Sequence, residues 1–340
     1  MKQHYLKFIF VGILVVVALA TRGNYYAVSQ SAADVVSVTA APTGAIGSGI
    51  SAASGSAFVS GGTAVLTGLS AMPSGTSTPL MNQPTAGTSP FSHVGNDPIP
   101  SLDYHEALIA DLTSGGIILG DHDGDRWPMA SLTKLMTAVV AVDTLDLNQT
   151  ITITPELFVL GGSDQTLQVG DRYTGTDLLR IMLLKSSNVA AEALASGYGR
   201  DRFLAAMDAR AATLTMRNTY YNDPTGLSSA NQSTADDLLL LAQKISASYP
   251  QVLAITRMPQ ATVMNLTPGK KVVVKSINAF AGQKDFLGGK TGYTDVADGN
   301  LLSLFKYQNR SVLVVIMGTD EASRFDNTIT LYNWFKKNYK

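Results

Sequence analysis

The sequence predicts an α+β fold: an antiparallel sheet formed from both ends of one domain, with a helical cluster inserted between them. Three observations point to it. Ala107–Leu112 and Ile117–Leu119, separated by Thr113-Ser114-Gly115-Gly116, have the pattern of a strand hairpin. A series of segments with helical apolar spacing follows. Strand-like runs return only at Lys271–Lys275, Leu301–Tyr307 and Val312–Met317, before a closing amphipathic stretch. Strands gathered at the two ends, rather than alternating with helices, indicate α+β and not a parallel βαβ sheet.

Each element has a local reason. Ala130–Leu145 sets Leu132, Leu135, Met136, Val139, Val140 and Val142 at helical spacing. Leu178–Leu184, Val189–Ala195, Arg202–Leu214 and Ala235–Ser246 are helices by the same criterion. Arg324–Lys337 reads as a helix with Leu331, Trp334 and Phe335 facing inward. From Pro98 onward roughly 240 residues are available, enough for one large core.

The segments before residue 99 are of another kind. Lys2 and Lys7 accompany 13 uninterrupted apolar residues, Phe8–Ala20. As a helix such a run spans about 20 Å, short of the roughly 30 Å hydrocarbon core of a bilayer. Ala18-Leu19-Ala20 offers a small-x-small cleavage site, so residues 1–29 read as a signal peptide or, uncleaved, as a signal anchor. Either reading places the remainder outside the cytoplasm, secreted or tied to the membrane at its N-terminus. No charged residue occurs from Val35 to Asn96, and 38 of the 50 residues from Ala41 to Pro90 are Ser, Thr, Ala, Pro or Gly. Such side chains bury too little area to offset a backbone entropy of roughly 1–2 kcal/mol per residue. Residues 30–98 therefore read as a disordered tether, and residues 99–340 as the folded domain. The competing reading of the tether is a small β-domain around Ala57-Phe58-Val59 and Ala64-Val65-Leu66.

Composition removes whole classes of function. Lys+Arg number 25 and Asp+Glu 26, and neither side of residue 100 is basic, so the electrostatic footprint of a nucleic-acid-binding protein is missing. The chain has no cysteine, which excludes disulfides, thiolate metal sites and a cysteine nucleophile. The four histidines, His4, His93, His105 and His122, all lie within the first 122 residues, so no histidine-based triad can form in the remainder. Asp121-His122-Asp123-Gly124-Asp125 alternates acids as a calcium loop does. Its glycine stands fourth rather than sixth, however, and the twelfth position is Leu132 rather than Glu, so it reads as a solvated turn. Neither a metal nor a cofactor is expected.

Three short motifs carry chemistry. In Pro128-Met129-Ala130-Ser131-Leu132-Thr133-Lys134, Ser131 and Lys134 stand three apart at a helix start and share a face. A serine hydroxyl is a poor nucleophile until a base takes its proton, and with no histidine downstream lysine is the available base. Its ordinary pKa of about 10.4 must then fall by roughly 2–3 units, through burial, a neighbouring cation or the helix N-terminus. In Lys185-Ser186-Ser187-Asn188, a hydroxyl and an amide two residues apart can point the same way, Ser186 to relay a proton and Asn188 to hold a substrate amide; a helix cap is the plainer reading. In Gly288-Gly289-Lys290-Thr291-Gly292-Tyr293, a cation and a hydroxyl sit on a strand edge whose glycine lets an extended peptide approach; a simple turn is the alternative.

Taken together, S-x-x-K, S-x-N and K-T-G lie in this order, their leading residues 55 and then 104 positions apart. This set, with S-D-N as its usual middle member, marks class A β-lactamases and penicillin-binding proteins. Residues 101–340 resemble the low-molecular-mass penicillin-binding proteins, the serine-type D-alanyl-D-alanine carboxypeptidases. The likeness extends to Leu135-Met136-Thr137, Ala190-Ala191, Asp223-Pro224-Thr225-Gly226-Leu227, Ser233-Thr234-Ala235-Asp236-Asp237-Leu238 and Thr294. It implies the DD-peptidase/β-lactamase-like fold and trimming of peptidoglycan stem peptides that end in D-Ala-D-Ala.

The resemblance also implies roles. Ser131 would attack the penultimate D-alanine carbonyl and Lys134 would accept its proton. Ser186, with Lys290 nearby, would protonate the departing D-alanine. Asn188 would bind the stem peptide, and the N–H groups of Ser131 and Tyr293 would form the oxyanion hole. Lys290 and Thr291, on the strand through Gly292, would hold the terminal carboxylate, and Arg324 would share it. β-Lactams would acylate Ser131 and stay there as covalent inhibitors. Thr225 departs from the family, whose members often carry His there, and the chain stops soon after the closing helix. A D,D-endopeptidase or transpeptidase would use the same residues. A class A β-lactamase needs a Glu between the second and third motifs, and none occurs from Ala193 to Asp320. A non-catalytic wall-binding protein would not need all three motifs. Tyr220, Tyr221 and Phe280 are candidates for lining a substrate groove.

Overall fold

The computed structural model of the 340-residue chain describes residues 88–340; the leader and the tether up to residue 87, including the competing β-domain, lie outside the described residues. Strand β1 (Glu106–Asp111) turns into β2 (Ile117–Asp121), as the hairpin pattern requires. After the two-residue β3 (Trp127–Pro128) and a 3₁₀ turn over Ala130–Thr133, helix α1 runs over Lys134–Thr144. The helical lobe continues with α2 (Pro155–Gly161), α3 (Gly175–Lys185), α4 (Asn188–Tyr198), α5 (Arg200–Thr213), α6 (Ala235–Ser248) and α7 (Pro250–Thr256). Short pairs β4 (Thr150–Thr152) with β5 (Arg172–Thr174), and β3 with β6 (Gln232–Ser233), edge this lobe. The chain then returns through the hairpin β7 (Gln260–Asn265) and β8 (Lys270–Lys275) to β9 (Phe286–Thr294), β10 (Asp298–Tyr307), β11 (Arg310–Thr319) and helix α8 (Arg324–Asn338).

The main sheet has the order β2-β1-β11-β10-β9, with every pairing antiparallel. The first strands therefore lie beside the last, and the helical lobe is the insertion between them. Side chains alternate across the sheet. Leu108, Ala110, Leu302, Leu304, Leu313, Val315 and Met317 pack on the helical lobe. Ala107, Ile109, Leu301, Phe305, Val312, Val314 and Ile316 face the opposite way, against Leu331 and Phe335 of α8. Trp334, expected inward, is only half-buried and donates its indole N–H to the Asp97 carbonyl.

That bond marks a difference from the sequence reading. The folded body starts before residue 99. Ser92 and Lys340 exchange main-chain hydrogen bonds, Val94 and Gly95 donate to the Asn338 carbonyl, and Lys337 pairs with Asp97 at 2.7 Å. Phe91 is buried between Tyr307 and Phe335, with ring centroids 5.9 and 5.0 Å away. A composition argument averages over a window, so it cannot see one phenylalanine docking at its end. A chain that begins at residue 99 should melt about 5–10 °C below one that begins at 88. Burial of a phenylalanine is worth about 2–3 kcal/mol and a kcal/mol moves the midpoint of a domain this size by about 2–4 °C. Thermal melts of the two chains check this.

Among the described residues no single helix is long and apolar enough to cross a membrane.

Candidate active site

The first motif sits where β3 hands over to α1. Met129 donates its N–H to the Asn231 carbonyl, and Ala130 is forced to a left-handed φ of +45°. A non-glycine residue held there stores of order 1–3 kcal/mol of strain, a cost usually met at functional sites. The helix expected from Ala130 begins instead as a 3₁₀ turn. In that geometry residues i and i+3 eclipse each other. Ser131 thus lies directly beside Lys134, and Nζ is 2.8 Å from Oγ.

The second motif is the junction of two helices. α3 ends with Ser186 in the left-handed region at φ +60°, which turns its hydroxyl out of the helix line. Ser187 caps α4, accepting the Ala190 N–H at 3.0 Å and donating its hydroxyl to Asp164. The cap therefore belongs to Ser187, while Ser186 and Asn188 hydrogen-bond lysines of the other two motifs. Asn188, the first residue of α4, accepts a hydrogen bond from Lys134 Nζ at 2.7 Å.

The third motif lies on β9, the edge of the main sheet, as its composition requires. Lys290 Nζ donates to Ser186 Oγ at 2.8 Å and to the Thr291 carbonyl at 2.7 Å. A Cβ on Gly292 would come within 3.0 Å of the Met129 carbonyl and 3.2 Å of the Ser131 nitrogen, so glycine is what lets this strand lie against the first motif. Tyr293 is exposed at the strand's end, and Thr291 is buried. Arg324 reaches from α8 to the Gly292 carbonyl at 3.2 Å, with Glu321 at 3.5 Å. Its Nε is buried without a partner. Lys134 joins the first motif to Asn188 of the second, and Lys290 joins the third motif to Ser186 of the second, so the second motif touches both of the others.

Two lysine side chains are thus buried at the meeting of the motifs. Burial pushes Lys134 down to about 7, against the pull of the Asp223 and Glu192 carboxylates. Lys290 is lowered well below its ordinary value, first by burial and then by the charges of Lys134 and Arg324. A stability signature follows. Between about pH 7 and the unfolded lysine value of about 10.4, the unfolded chain binds a proton at residue 134 that the folded chain does not, so stability rises with pH across that window. Lys134→Met should lose this part of the slope. Urea unfolding of both proteins at pH 7 and pH 9.5 measures it; equal slopes would show that Lys134 is protonated when folded.

The sequence singles out the stretch Asp223–Leu227 but not what its main chain does. The carbonyl of Thr225 accepts from Lys134 Nζ at 2.6 Å. The Thr225 hydroxyl bonds Asp223 at 2.7 Å. Glu192, buried beneath Lys134 and bonded to Arg200 Nε at 2.9 Å, was missed too. Its signal was its place one turn after Asn188 on the same helix face. Of the three candidate aromatics, Tyr221 and Phe280 belong to the core and Tyr220 is exposed. Residues 121–125 form a turn, and among the described residues no group of three acidic or histidine side chains is arranged to hold a metal ion.

Comparison with known proteins shows the family. The chain is 34% identical over 240 residues to a D-alanyl-D-alanine endopeptidase of Pseudomonas aeruginosa, covering 68% of this chain and 76% of the relative. It is 31% identical over 248 residues to the D-alanyl-D-alanine carboxypeptidase DacB2 of Mycobacterium tuberculosis, covering 71% and 84%. The crystal structure of a D-alanyl-D-alanine carboxypeptidase from Mycobacterium tuberculosis superposes with a TM-score of 0.65 at 30% identity, covering 71% of this chain and 94% of that one. The family model for D-alanyl-D-alanine carboxypeptidase, peptidase S11, matches residues 94–321. With its hydroxyl, its two buried ammonium groups and this match on one stretch of chain, the protein belongs to the D-alanyl-D-alanine carboxypeptidase family of peptidases.

Proposed function

We propose that the chain is a serine-type D-alanyl-D-alanine carboxypeptidase that removes the terminal D-alanine of peptidoglycan stem peptides through an acyl-enzyme. The observation that carries this is the 2.8 Å contact between Ser131 Oγ and the wholly buried Lys134 Nζ. Ser131 attacks the carbonyl of the penultimate D-alanine while Lys134 takes its proton. The oxyanion meets the N–H groups of Ser131 and Tyr293; such a donor is worth about 2.7–4 kcal/mol in other enzymes. The departing amine takes a proton from Ser186, which Lys290 replenishes. Asn188 holds the peptide backbone. Lys290, Thr291 and Arg324 form the cationic end that takes the substrate carboxylate, and Gly292 and Tyr293 continue the edge on which the peptide pairs. Water then releases the acyl group.

The same chemistry makes β-lactams covalent inhibitors, since ring opening on Ser131 leaves no departing fragment. The work site is the outer side of the cytoplasmic membrane, in the periplasm or at the wall, with the N-terminal segment as leader or anchor. The likeness to the Pseudomonas endopeptidase favours a second reading, cleavage of D,D cross-links by the same residues. Mass spectrometry after incubation with a stem pentapeptide and with a cross-linked dimer separates the two. Loss of one D-alanine from the pentapeptide is the expected result; cleavage of the dimer alone makes the protein an endopeptidase.

A further inference from the structure

We propose that Asp223 and Asn231 are positioning residues for Lys134: they fold the loop between them into an arc that aims the Thr225 carbonyl at Nζ, and so fix which way the amine presents its lone pair. This rests on the reading of Lys134 as the base.

The argument is stereochemical. An ammonium has three N–H donors, and a neutral amine has two and one lone pair. Nζ has three oxygen neighbours: Ser131 Oγ at 2.8 Å, Asn188 Oδ1 at 2.7 Å and the Thr225 carbonyl at 2.6 Å. The last two can only accept. In the neutral amine both N–H bonds go to them, which leaves the lone pair facing the Ser131 hydroxyl. If either acceptor drifts, rotation about Cε–Nζ can bring an N–H toward Ser131, and the base is lost without any change in its chemistry.

The Thr225 carbonyl does not drift because its loop is tied from both sides. The Asp223 carboxylate accepts from the N–H groups of Thr225 at 2.7 Å, Gly226 at 2.6 Å and Ser228 at 2.8 Å, and from the Thr225 hydroxyl at 2.7 Å. Asn231 is fully buried and uses both ends of its amide. Oδ1 accepts from the N–H groups of Asn222 at 2.8 Å and Asp223 at 3.1 Å. Nδ2 donates to the Asp223 carbonyl at 2.8 Å and to Thr133 Oγ1 at 3.1 Å. The Thr137 hydroxyl donates to the Pro224 carbonyl at 2.6 Å. Thr133 and Thr137 flank Lys134 on its own segment, so the arc is fastened to the element that carries the base. Gly226, at φ +83°, closes the approach; a Cβ there would lie 1.9 Å from the Ala130 carbonyl. The charged groups acting on Lys134 are Asp223 from this loop, Glu192 from α4 with its partner Arg200, and Lys290 from β9.

The test uses the full chain with Asp223→Asn and Asn231→Ala. It measures the second-order rate of acylation by a fluorescent penicillin across pH, the KM for a stem pentapeptide, and the titration of the Lys134 side chain by NMR. Misplacement of a catalytic group by about 1 Å can cost about 100-fold. Acylation should fall by about that factor with KM unchanged. In Asn231→Ala, which changes no charge, the Lys134 midpoint should move to lower pH because the protonated amine loses a well-aimed acceptor; Asp223→Asn lowers it also by removing a carboxylate charge, so the midpoint is judged on the Asn231 variant. A purely structural role would lower the melting temperature without moving the midpoint, and that result overturns the proposal. Thr137→Val cuts the bond to the Pro224 carbonyl, and with it a 3.3 Å bond to the Thr133 carbonyl within its own segment, and decides the matter by the same readouts if either other variant folds poorly. Should the parent itself resist penicillin, the functional reading fails, and an unchanged Lys134 titration in the folded variants would separately overturn this one.

Discussion

Ser131→Ala should abolish both penicillin labelling and D-alanine release while leaving the fold intact. The proposed nucleophilic oxygen is the only heavy atom lost. In a serine peptidase, removing it costs roughly 10⁶-fold in turnover. The structural cost is small. Ser131 is half-buried, its Oγ contact is with Lys134 alone among side chains, and a single hydrogen bond contributes about 1 kcal/mol net. Lys134 keeps Asn188 and the Thr225 carbonyl as acceptors, so no unpaired charge is created. Labelling with a fluorescent penicillin, read beside a thermal melt, checks the prediction. A folded Ser131→Ala protein that still labels would mean that another group attacks.

Lys134→Ala should produce the second-largest loss. Without a base, acylation should fall by about 10²–10⁴-fold, the usual worth of proton transfer in a transition state. The pH dependence is the sharper signature. With Lys134 held down to about 7, the parent rate should climb as the amine deprotonates through that value and level off above it. The variant should be flat over the same range. Lys134→Arg is the control that preserves charge, because a guanidinium does not deprotonate in this range. It should be as slow as the alanine variant. Stability changes are opposed: the alanine variant loses three buried methylenes but also removes an ammonium that burial disfavours. Stopped-flow acylation from pH 5 to pH 9 measures the effect. A variant with the parent's rate and profile would assign the proton to another acceptor.

The elements visible before folding were those with many repeats of a local pattern. The hairpin at the start, the helices α1, α3, α4, α5, α6 and α8, and strands β10 and β11 each carry several turns or alternations of apolar residues. Seven-residue helices α2 and α7 did not register, since two turns give periodicity little to act on. Strand β9 is rich in glycine, so only its Lys-Thr-Gly segment spoke for a strand, and its full length shows in its pairing with β10. The 3₁₀ turn at Ser131 could not be read from residue types either. It follows from the left-handed Ala130 and from contacts made far away in sequence.

The residues of the candidate site divide along the same line. Ser131, Lys134, Ser186, Asn188 and Lys290 were legible because reactive groups at short, fixed spacings are a local property, and spacing survives whatever the chain does next. The Thr225 carbonyl, 91 residues from the amine it contacts, was not. Every residue but proline offers the same main-chain oxygen, so side-chain identity says nothing about which one a buried lysine will find. The depression of Lys134 has the same origin, since it arises from the water its neighbours exclude and not from the residue. Chemistry was written along the chain; the surroundings that make one lysine a base exist only where distant segments close over it.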